Sequence, residues 1–286
     1  MKVSLTISPD GSRIATATIR GNIALWDMRT GAPVETKFGH STNVNSLAYL
    51  HDNVHLASGS TDGKISLWDV ATGICVHQLA FEGDSGRINI LATSPNKPLL
   101  ASASRGKNIR IWDTNRLECL FTLLCNSEVK SLVFFPDGDK LATVSEYGTI
   151  GVWDLYTRQL IMPFNNPWSE PKVPNTNVLL PSCDIAISST GKWLAVLYSE
   201  VISVFDTGSL VVYKWKCLFA RSISFSHDDA WLVSSGHDYI RLWKTMNSKD
   251  GKYVKILQHP DVQRTVFTST PDGTRLVSSK RCPATV

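Results

Sequence analysis

The sequence predicts an all-β fold in which similar four-stranded sheets repeat along the chain. The first observation is an aromatic residue followed by aspartate, which recurs at intervals of 38 to 52 residues. The series comprises Trp26-Asp27, Trp68-Asp69, Trp112-Asp113, Trp153-Asp154, Phe205-Asp206 and a degenerate Trp243-Lys244. The second observation is a turn about sixteen residues before each aromatic, as in SPDG at 8–11 and FPDG at 135–138. Two independent series with one period indicate a structural repeat.

Within each period the residues alternate between polar and apolar as they do in strands. In the second period VNSLAYL precedes the turn, HLASGS and KISLWD follow it, and a looser apolar stretch, ICVHQLA, ends the period. A single four-stranded sheet of this kind cannot bury both of its faces. Sheets stacked side by side in a ring do bury them, so the period predicts the blades of a β-propeller.

The chain is predicted to form a single domain, 1–286. The period divides this domain into seven blades, and the last blade is incomplete. The predicted blades are 1–37, 38–81, 82–125, 126–165, 182–216, 217–258 and, in part, 259–286, with an inserted loop at 165–181. The seventh period supplies two strands, and Val286 falls where its third strand would open. We therefore expect either a fragment of a longer protein or a six-bladed closure with the last segment folded across the ring.

The composition favours a buried core and argues against nucleic-acid or membrane binding. Apolar residues make up 43% of the chain, and no run approaches the roughly eighteen apolar residues that a membrane span needs. The opening MKVSLTISPDG has the alternation of a strand and no signal-peptide core. Lysines and arginines are scattered, and the net charge is only +4, so no basic nucleic-acid footprint is predicted. We expect a cytoplasmic or nuclear protein.

The sequence offers no candidate catalytic, cofactor-binding or metal-binding residues. The six cysteines lack zinc-ligand spacing. Cys75 and Cys119 each follow a repeat tryptophan by seven residues, and we interpret them as small buried apolar side chains. The repeat aspartates recur once per blade, which indicates turn capping rather than catalysis. We expect no enzyme activity, no small-molecule substrate, no cofactor and no metal.

The repeat resembles that of the WD-repeat (WD40) family over nearly the whole chain. The second repeat is the closest match, with Gly39-His40 before its first strand and LASGSTDGKISLWD after its turn. In that family a buried hydrogen-bonded tetrad joins histidine, serine or threonine, aspartate and tryptophan. The resemblance implies a structural tetrad of His40, Ser58, Asp62 and Trp68, with Ser60 as the alternative serine.

The other repeats depart from this pattern at the aspartate position. That position holds Arg20 in the first repeat, Gly106 in the third and Tyr147 in the fourth. We therefore expect those blades to rely on apolar packing instead of the tetrad.

The resemblance implies a non-catalytic scaffold or adaptor that binds other proteins with the loop face around the channel mouth. The candidate partner-binding residues on that face are Asn43, Asn45, Thr61, Arg87, Asn89, Arg105, Glu128, Lys130, Glu146 and Tyr198. The inserted loop contains four prolines and Trp168. Trp168 is either a binding anchor on a stiffened loop or a cover for a blade edge.

Three other functions stay open. Trp26-Asp27-Met28-Arg29 matches the W-D-x-R pattern of WD-repeat substrate receptors of cullin-type ubiquitin ligases, although Arg20 stands where an acidic residue is wanted. Repeats of this kind also form the sensor portion of larger signalling proteins. An enzyme or cofactor-bearing propeller is the third, and a stoichiometric metal or an absorbing cofactor in the purified protein would identify it.

Overall fold

A computed structural model describes residues 4–17, 20–80, 86–164, 182–209, 212–236, 239–245, 253–258, 266–269 and 276–279. All regular secondary structure in these ranges is β-strand. The strands form six four-stranded sheets and one two-stranded sheet, and in each sheet the spatial order follows the chain order. Every neighbouring pair is antiparallel, as in Trp68 opposite Leu56 of the second sheet.

The first three blades occupy the N-terminal part of the chain. Blade one comprises β1 (Leu5–Ile7), β2 (Arg13–Ala17), β3 (Asn22–Asp27) and β4 (Pro33–Gly39). Blade two comprises β5 (Val44–Tyr49), β6 (His55–Ser60), β7 (Lys64–Asp69) and β8 (Cys75–Ala80). Blade three comprises β9 (Ile88–Thr93), β10 (Leu99–Ser104), β11 (Asn108–Asp113) and β12 (Glu118–Leu124).

The next three blades repeat the same order of strands. Blade four comprises β13 (Val129–Phe134), β14 (Lys140–Ser145), β15 (Ile150–Asp154) and β16 (Gln159–Phe164). Blade five comprises β17 (Cys183–Ile187), β18 (Trp193–Tyr198), β19 (Val201–Asp206) and β20 (Val212–Lys216). Blade six comprises β21 (Ser222–Phe225), β22 (Trp231–Ser235), β23 (Tyr239–Lys244) and β24 (Tyr253–Gln258).

The last segment forms a two-stranded sheet of β25 (Val266–Ser269) and β26 (Leu276–Ser279). The first strand of each blade contacts the first strand of the next, from β1 through β21, and β25 contacts both β21 and β1. The predicted all-β propeller is therefore confirmed. Six complete blades form it, as in the six-bladed alternative, and the two-stranded sheet lies between blades six and one.

The core lies between the blades rather than inside any one of them. One buried cluster joins Ile109 and Leu123 of blade three to Leu132 and Trp153 of blade four. Another joins Trp215 of blade five to residues of blade six. Because each sheet buries its faces against its neighbours, no blade has a core of its own.

Antiparallel order gives the ring two distinct faces. We call the face that carries the connections into each first strand, and the turns between second and third strands, the top face. The bottom face carries the turns between first and second strands and between third and fourth strands. No described residue belongs to a helix long and apolar enough to cross a membrane.

Turns on the bottom face bond to the turns of neighbouring blades. The backbone N–H of Asp10 donates to Asn53 Oδ1 at 2.9 Å, which joins blades one and two. Asn96 Nδ2 donates to Pro136 O at 3.1 Å, which joins blades three and four. The backbone N–H of Ser189 donates to Asp229 Oδ1 at 2.6 Å, which joins blades five and six.

Candidate functional site

The structure brings the four residues of the implied tetrad together in blade two. Trp68 Nε1 donates to Ser58 Oγ at 2.7 Å, and His40 Nε2 lies 2.6 Å from the same oxygen. His40 Nδ1 lies 3.3 Å from Asp62 Oδ2. In the neutral tautomer whose Nδ1 donates to the Asp62 carboxylate, Nε2 accepts from the Ser58 hydroxyl. Ser60 bonds elsewhere, to Thr42 Oγ1 and the backbone oxygen of Asn43.

The tryptophan and hydroxyl half of the tetrad persists in four of the other five complete blades. In each of these blades the tryptophan Nε1 donates to a serine or threonine hydroxyl at 2.8 to 3.2 Å. The pairs are Trp26 with Thr16, Trp112 with Ser102, Trp153 with Thr143, and Trp243 with Ser234. The expectation of apolar packing in blades one, three and four was therefore incomplete, because loss of the aspartate does not remove the acceptor next to the indole.

Blade five replaces this polar pair with an apolar one. Phe205 stands opposite Leu194 as Trp68 stands opposite Leu56. The position two residues beyond Leu194, which corresponds to Ser58, is Val196. Phe205 and Val196 belong to one buried cluster with residues of blade four. A cavity of about 280 Å³ lies between blades four and five and is lined in part by Phe205.

The repeat aspartates close turns on the bottom face. Asp69 Oδ1 accepts from the backbone N–H of Thr72 at 2.7 Å and from its hydroxyl at 2.8 Å. The Thr72 backbone N–H is the largest of the contacts that lower the pKa of Asp69. Gly73 follows with φ of 71°, a conformation that favours glycine. The same lowering of pKa by turn N–H groups occurs at Asp27, Asp154 and Asp206.

Six of the candidate partner-binding residues form a polar arc on the top face across blades two, three and four. We call this set the top rim: Asn45, Arg87, Asn89, Glu128, Lys130 and Glu146. Arg87 Nη2 donates to Asn45 Oδ1 at 3.2 Å, and Asn89 Nδ2 donates to Glu128 Oε1 at 3.1 Å. Lys130 Nζ lies 2.8 Å from a Glu128 carboxylate oxygen and 3.9 Å from one of Glu146. The rim therefore carries charges of both signs, held by contacts between blades.

Of the other candidate residues, Asn43, Thr61, Arg105 and Tyr198 belong to the described part of the chain. The backbone oxygen of Asn43 accepts from the backbone N–H of Thr61 at 3.0 Å. Arg105 is exposed. The Tyr198 ring lies so close to Gly148 that a side chain there would clash with it. Trp168 lies outside the described residues, with the whole of the inserted loop.

A buried carboxylate that the sequence did not single out joins three blades at the channel wall. Asp184 Oδ1 accepts from Ser131 Oγ of blade four at 3.0 Å. Its Oδ2 accepts from Ser222 Oγ at 2.8 Å and from the backbone N–H of Ile223 at 3.0 Å, both in blade six. The channel has a volume of about 550 Å³ and is lined by the first strands of blades one to six. The signal in the sequence that points to this carboxylate is an acidic residue inside the otherwise apolar strand CDIAI.

The cysteines differ in part from their predicted setting. Cys119 is exposed and Cys75 is half-buried, so the interpretation of both as buried side chains was wrong. The fourth strand that carries them is the outermost of its blade and has one side open to solvent. Burial raises the pKa of the Cys125 thiol to about 11. The described residues contain no group of three or more potential metal ligands.

The W-D-x-R tetrapeptide lies on the bottom face of blade one. The backbone N–H of Arg29 donates to Asp27 Oδ1 at 3.0 Å, and Arg29 is exposed. Its geometry is that of the other turns between third and fourth strands.

Comparison with known proteins places these features in a family. The family model "WD domain, G-beta repeat" matches residues 31–69, 73–113, 117–154 and 217–244, about half of the chain. A guanine nucleotide-binding protein subunit beta of Nicotiana plumbaginifolia is 29% identical over 114 residues, which are 39% of this chain and 29% of that protein. Eukaryotic translation initiation factor 3 subunit I of Aspergillus fumigatus is 31% identical over 142 residues, 48% of this chain and 40% of that protein.

A third relative is the small ribosomal subunit protein RACK1z of Oryza sativa subsp. japonica. It is 26% identical over 141 residues, 49% of this chain and 38% of that protein. The chain thus matches less than half of the length of each of these relatives. The repeated blades, the indole–hydroxyl pairs and the family match together show that this chain belongs to the WD domain, G-beta repeat family.

Proposed function

We propose that the chain is a non-catalytic adaptor in a protein assembly of the cytosol or nucleus, and that it binds its partner with the top rim. The observation that carries this proposal is that rim side chains bond across both blade boundaries, Arg87 to Asn45 between blades three and two and Asn89 to Glu128 between blades three and four. The similar proteins are named as a subunit of a guanine nucleotide-binding protein, a subunit of a translation initiation factor and a protein of the small ribosomal subunit. These names support a role within an assembly.

The physical setting of the rim suits a specific but reversible interface. Glu128, Lys130 and Glu146 are partly buried and already hold one another in place. Side chains that are ordered before binding lose less conformational freedom when a partner arrives. Mixed charges with neighbouring polar amides are typical of non-obligate protein interfaces and also set the orientation of the partner.

The test compares two matched triple variants of the full chain. The rim variant, Glu128→Gln with Lys130→Gln and Glu146→Gln, removes three charges from the top face and retains side-chain length at both glutamates. The control, Asp137→Asn with Asp139→Asn and Lys97→Gln, does the same on the bottom face, where Lys97 contacts Asp139. Each tagged protein is purified from cells and its bound proteins are quantified by mass spectrometry.

We expect the rim variant to lose one or more bound proteins by about tenfold or more, because charge complementarity contributes to both association and specificity. The control should retain them. The melting temperatures of both variants are measured to check that each one folds. Identical sets of bound proteins for the wild type and both variants would contradict the proposal.

A further inference from the structure

A second feature of the top face is the short connection from β20 to β21. Leu218 and Phe219 are 39% and 66% exposed, although the residues on either side of them, Cys217 and Ala220, are fully buried. The backbone N–H of Cys217 donates to Glu200 O at 2.7 Å. Because both flanks are fixed, the two apolar side chains cannot fold back into the core.

The backbone of this turn holds Phe219 in a conformation that favours glycine. Its φ is 61°, and among the described non-glycine residues with positive φ it is the only aromatic one. A Cβ added to Gly236 would lie 2.8 Å from the Phe219 backbone oxygen, so the turn packs closely against blade six. An unfavourable backbone conformation that displays a large apolar side chain to solvent is a marker of a functional position.

A rigid base lies beneath the turn. Trp215 and Trp243 are buried and stack with ring centroids 5.4 Å apart and planes within 6° of parallel. Trp243 Nε1 is fixed by Ser234 Oγ at 2.8 Å. The backbone that carries Phe219 is therefore held in one position, which lowers the entropic cost of binding through it.

Cationic side chains surround the exposed tip. Lys216 and Arg221 are exposed at the two ends of the turn. The Arg241 guanidinium lies 3.9 Å from the Tyr239 ring, and its Nη1 is 3.4 Å from the Leu218 backbone oxygen. Of the described carboxylates nearby, Glu200 is exposed, and Asp184 is buried and fully hydrogen-bonded. Among the described residues around the turn, the positive charges thus outnumber the accessible negative ones.

We infer that the Lys216–Arg221 turn is an anchor site for an acidic segment of a protein partner. Phe219 and Leu218 contact an apolar side chain of that segment, and the cations pair with carboxylates beside it. The inference rests on the proposed function, for which it names the chemistry of the partner. An anionic membrane is less suited, because binding in the interface needs a larger apolar surface than two side chains.

Two variants separate binding from folding. Phe219→Gly removes the ring and places at φ 61° the residue that this conformation favours, so the melting temperature should stay level or rise. Arg221→Glu reverses an exposed charge for which the described residues provide no ion-pair partner. The matched controls are Tyr156→Ser, an exposed aromatic on the bottom face, and Lys244→Glu, an exposed cation at the bottom of blade six.

The probe is a displayed library of random peptides of about twelve residues, selected on the purified full chain. We expect enrichment of aspartate and glutamate around an aromatic residue or leucine. One enriched peptide is then synthesised with a fluorescent label, and its affinity is measured by anisotropy. Phe219→Gly and Arg221→Glu should each weaken it by about tenfold or more, and the two controls should leave it within about twofold.

Failure of acidic peptides to enrich, or unchanged affinity of both turn variants, would overturn the inference. Vesicles with roughly 30% phosphatidylserine form a second arm. Binding to these vesicles that needs Phe219, without peptide enrichment, would assign the turn to a membrane and also overturn it. If the rim variant loses its bound proteins but Phe219→Gly keeps them, the proposed function stands and only this inference fails.

Discussion

Truncation of the blade-two tryptophan should cost more stability than truncation of its blade-five counterpart. Trp68 and Phe205 are equally well buried, and removal of a large core aromatic costs about 3–5 kcal/mol. Trp68→Ala also removes the 2.7 Å bond to Ser58, a residue with no exposed surface, at about 1 kcal/mol. It further removes ring contacts to Phe38 at 5.4 Å and His40 at 5.9 Å.

Phe205→Ala should fall at the lower end of the range. Phe205 already borders the cavity of about 280 Å³ between blades four and five, and its neighbour Val196 needs no polar partner. The difference between the two variants is about 2 kcal/mol. For a domain of this size, that corresponds to a melting temperature about 4–8 °C lower for Trp68→Ala.

Differential scanning calorimetry and urea unfolding at neutral pH measure this difference. Trp68→Phe serves as the control, because it keeps most of the ring and loses the indole N–H. We expect it to lie between the wild type and Trp68→Ala. Equal shifts for Trp68→Ala and Phe205→Ala would show that the tetrad adds nothing to the packing of its tryptophan.

Four further outcomes are expected. Phe205→Trp with Val196→Ser should restore the indole–hydroxyl pair, fill part of the cavity and raise the melting temperature by about 2–4 °C; a fall would mean that the interface has no room. Asp184→Ala should lower the free energy of unfolding by about 3 kcal/mol, because three buried donors lose their acceptor, whereas Asp184→Asn should cost less; equal costs in urea unfolding would refute this. The pKa of Asp69 is lowered in the folded protein, so the stability that its carboxylate contributes is present above the ordinary pKa of 3.8 and is lost as the pH falls through the lowered value. Asp69→Asn should therefore destabilise the protein at neutral pH but not at about pH 2, and thermal scans at both pH values measure this. Arg29→Ala should leave the bound proteins unchanged in affinity purification, and loss of a ubiquitin-ligase adaptor would instead favour a substrate receptor.

The repeated strands could be predicted because alternation and turns are local properties of the sequence. The indole–hydroxyl pairs could have been predicted as well, since a serine or threonine stands ten residues before Trp26, Trp68, Trp112 and Trp153. This spacing is constant, whereas the aspartate position of the tetrad varies between repeats. The acidic residue in the apolar strand CDIAI is visible in the sequence, but the role of Asp184 could not be predicted, because its partners Ser131 and Ser222 lie in other blades.

The exposed turn at Phe219 could not be predicted for a related reason. An apolar run such as CLFA is typical of a strand end, and nothing local distinguishes its exposed residues from its buried ones. The difference arises because Cys217 and Ala220 are buried where blades five and six meet. Exposure of this kind depends on contacts between sheets that are remote in sequence.

The bottom-face contacts have a consequence for how the molecule opens. Turn-to-turn bonds join blade one to two, three to four, and five to six. A sheet that separates from its neighbour must break these hydrogen bonds as well as the apolar interface, so the two blades of a pair should open cooperatively. Hydrogen bonds also join blade two to blade three and blade four to blade five, so native-state hydrogen exchange should show the six complete blades opening as one cooperative unit. The stability of the ring against opening is therefore set by its weakest interface between neighbouring blades rather than by the stability of any single blade.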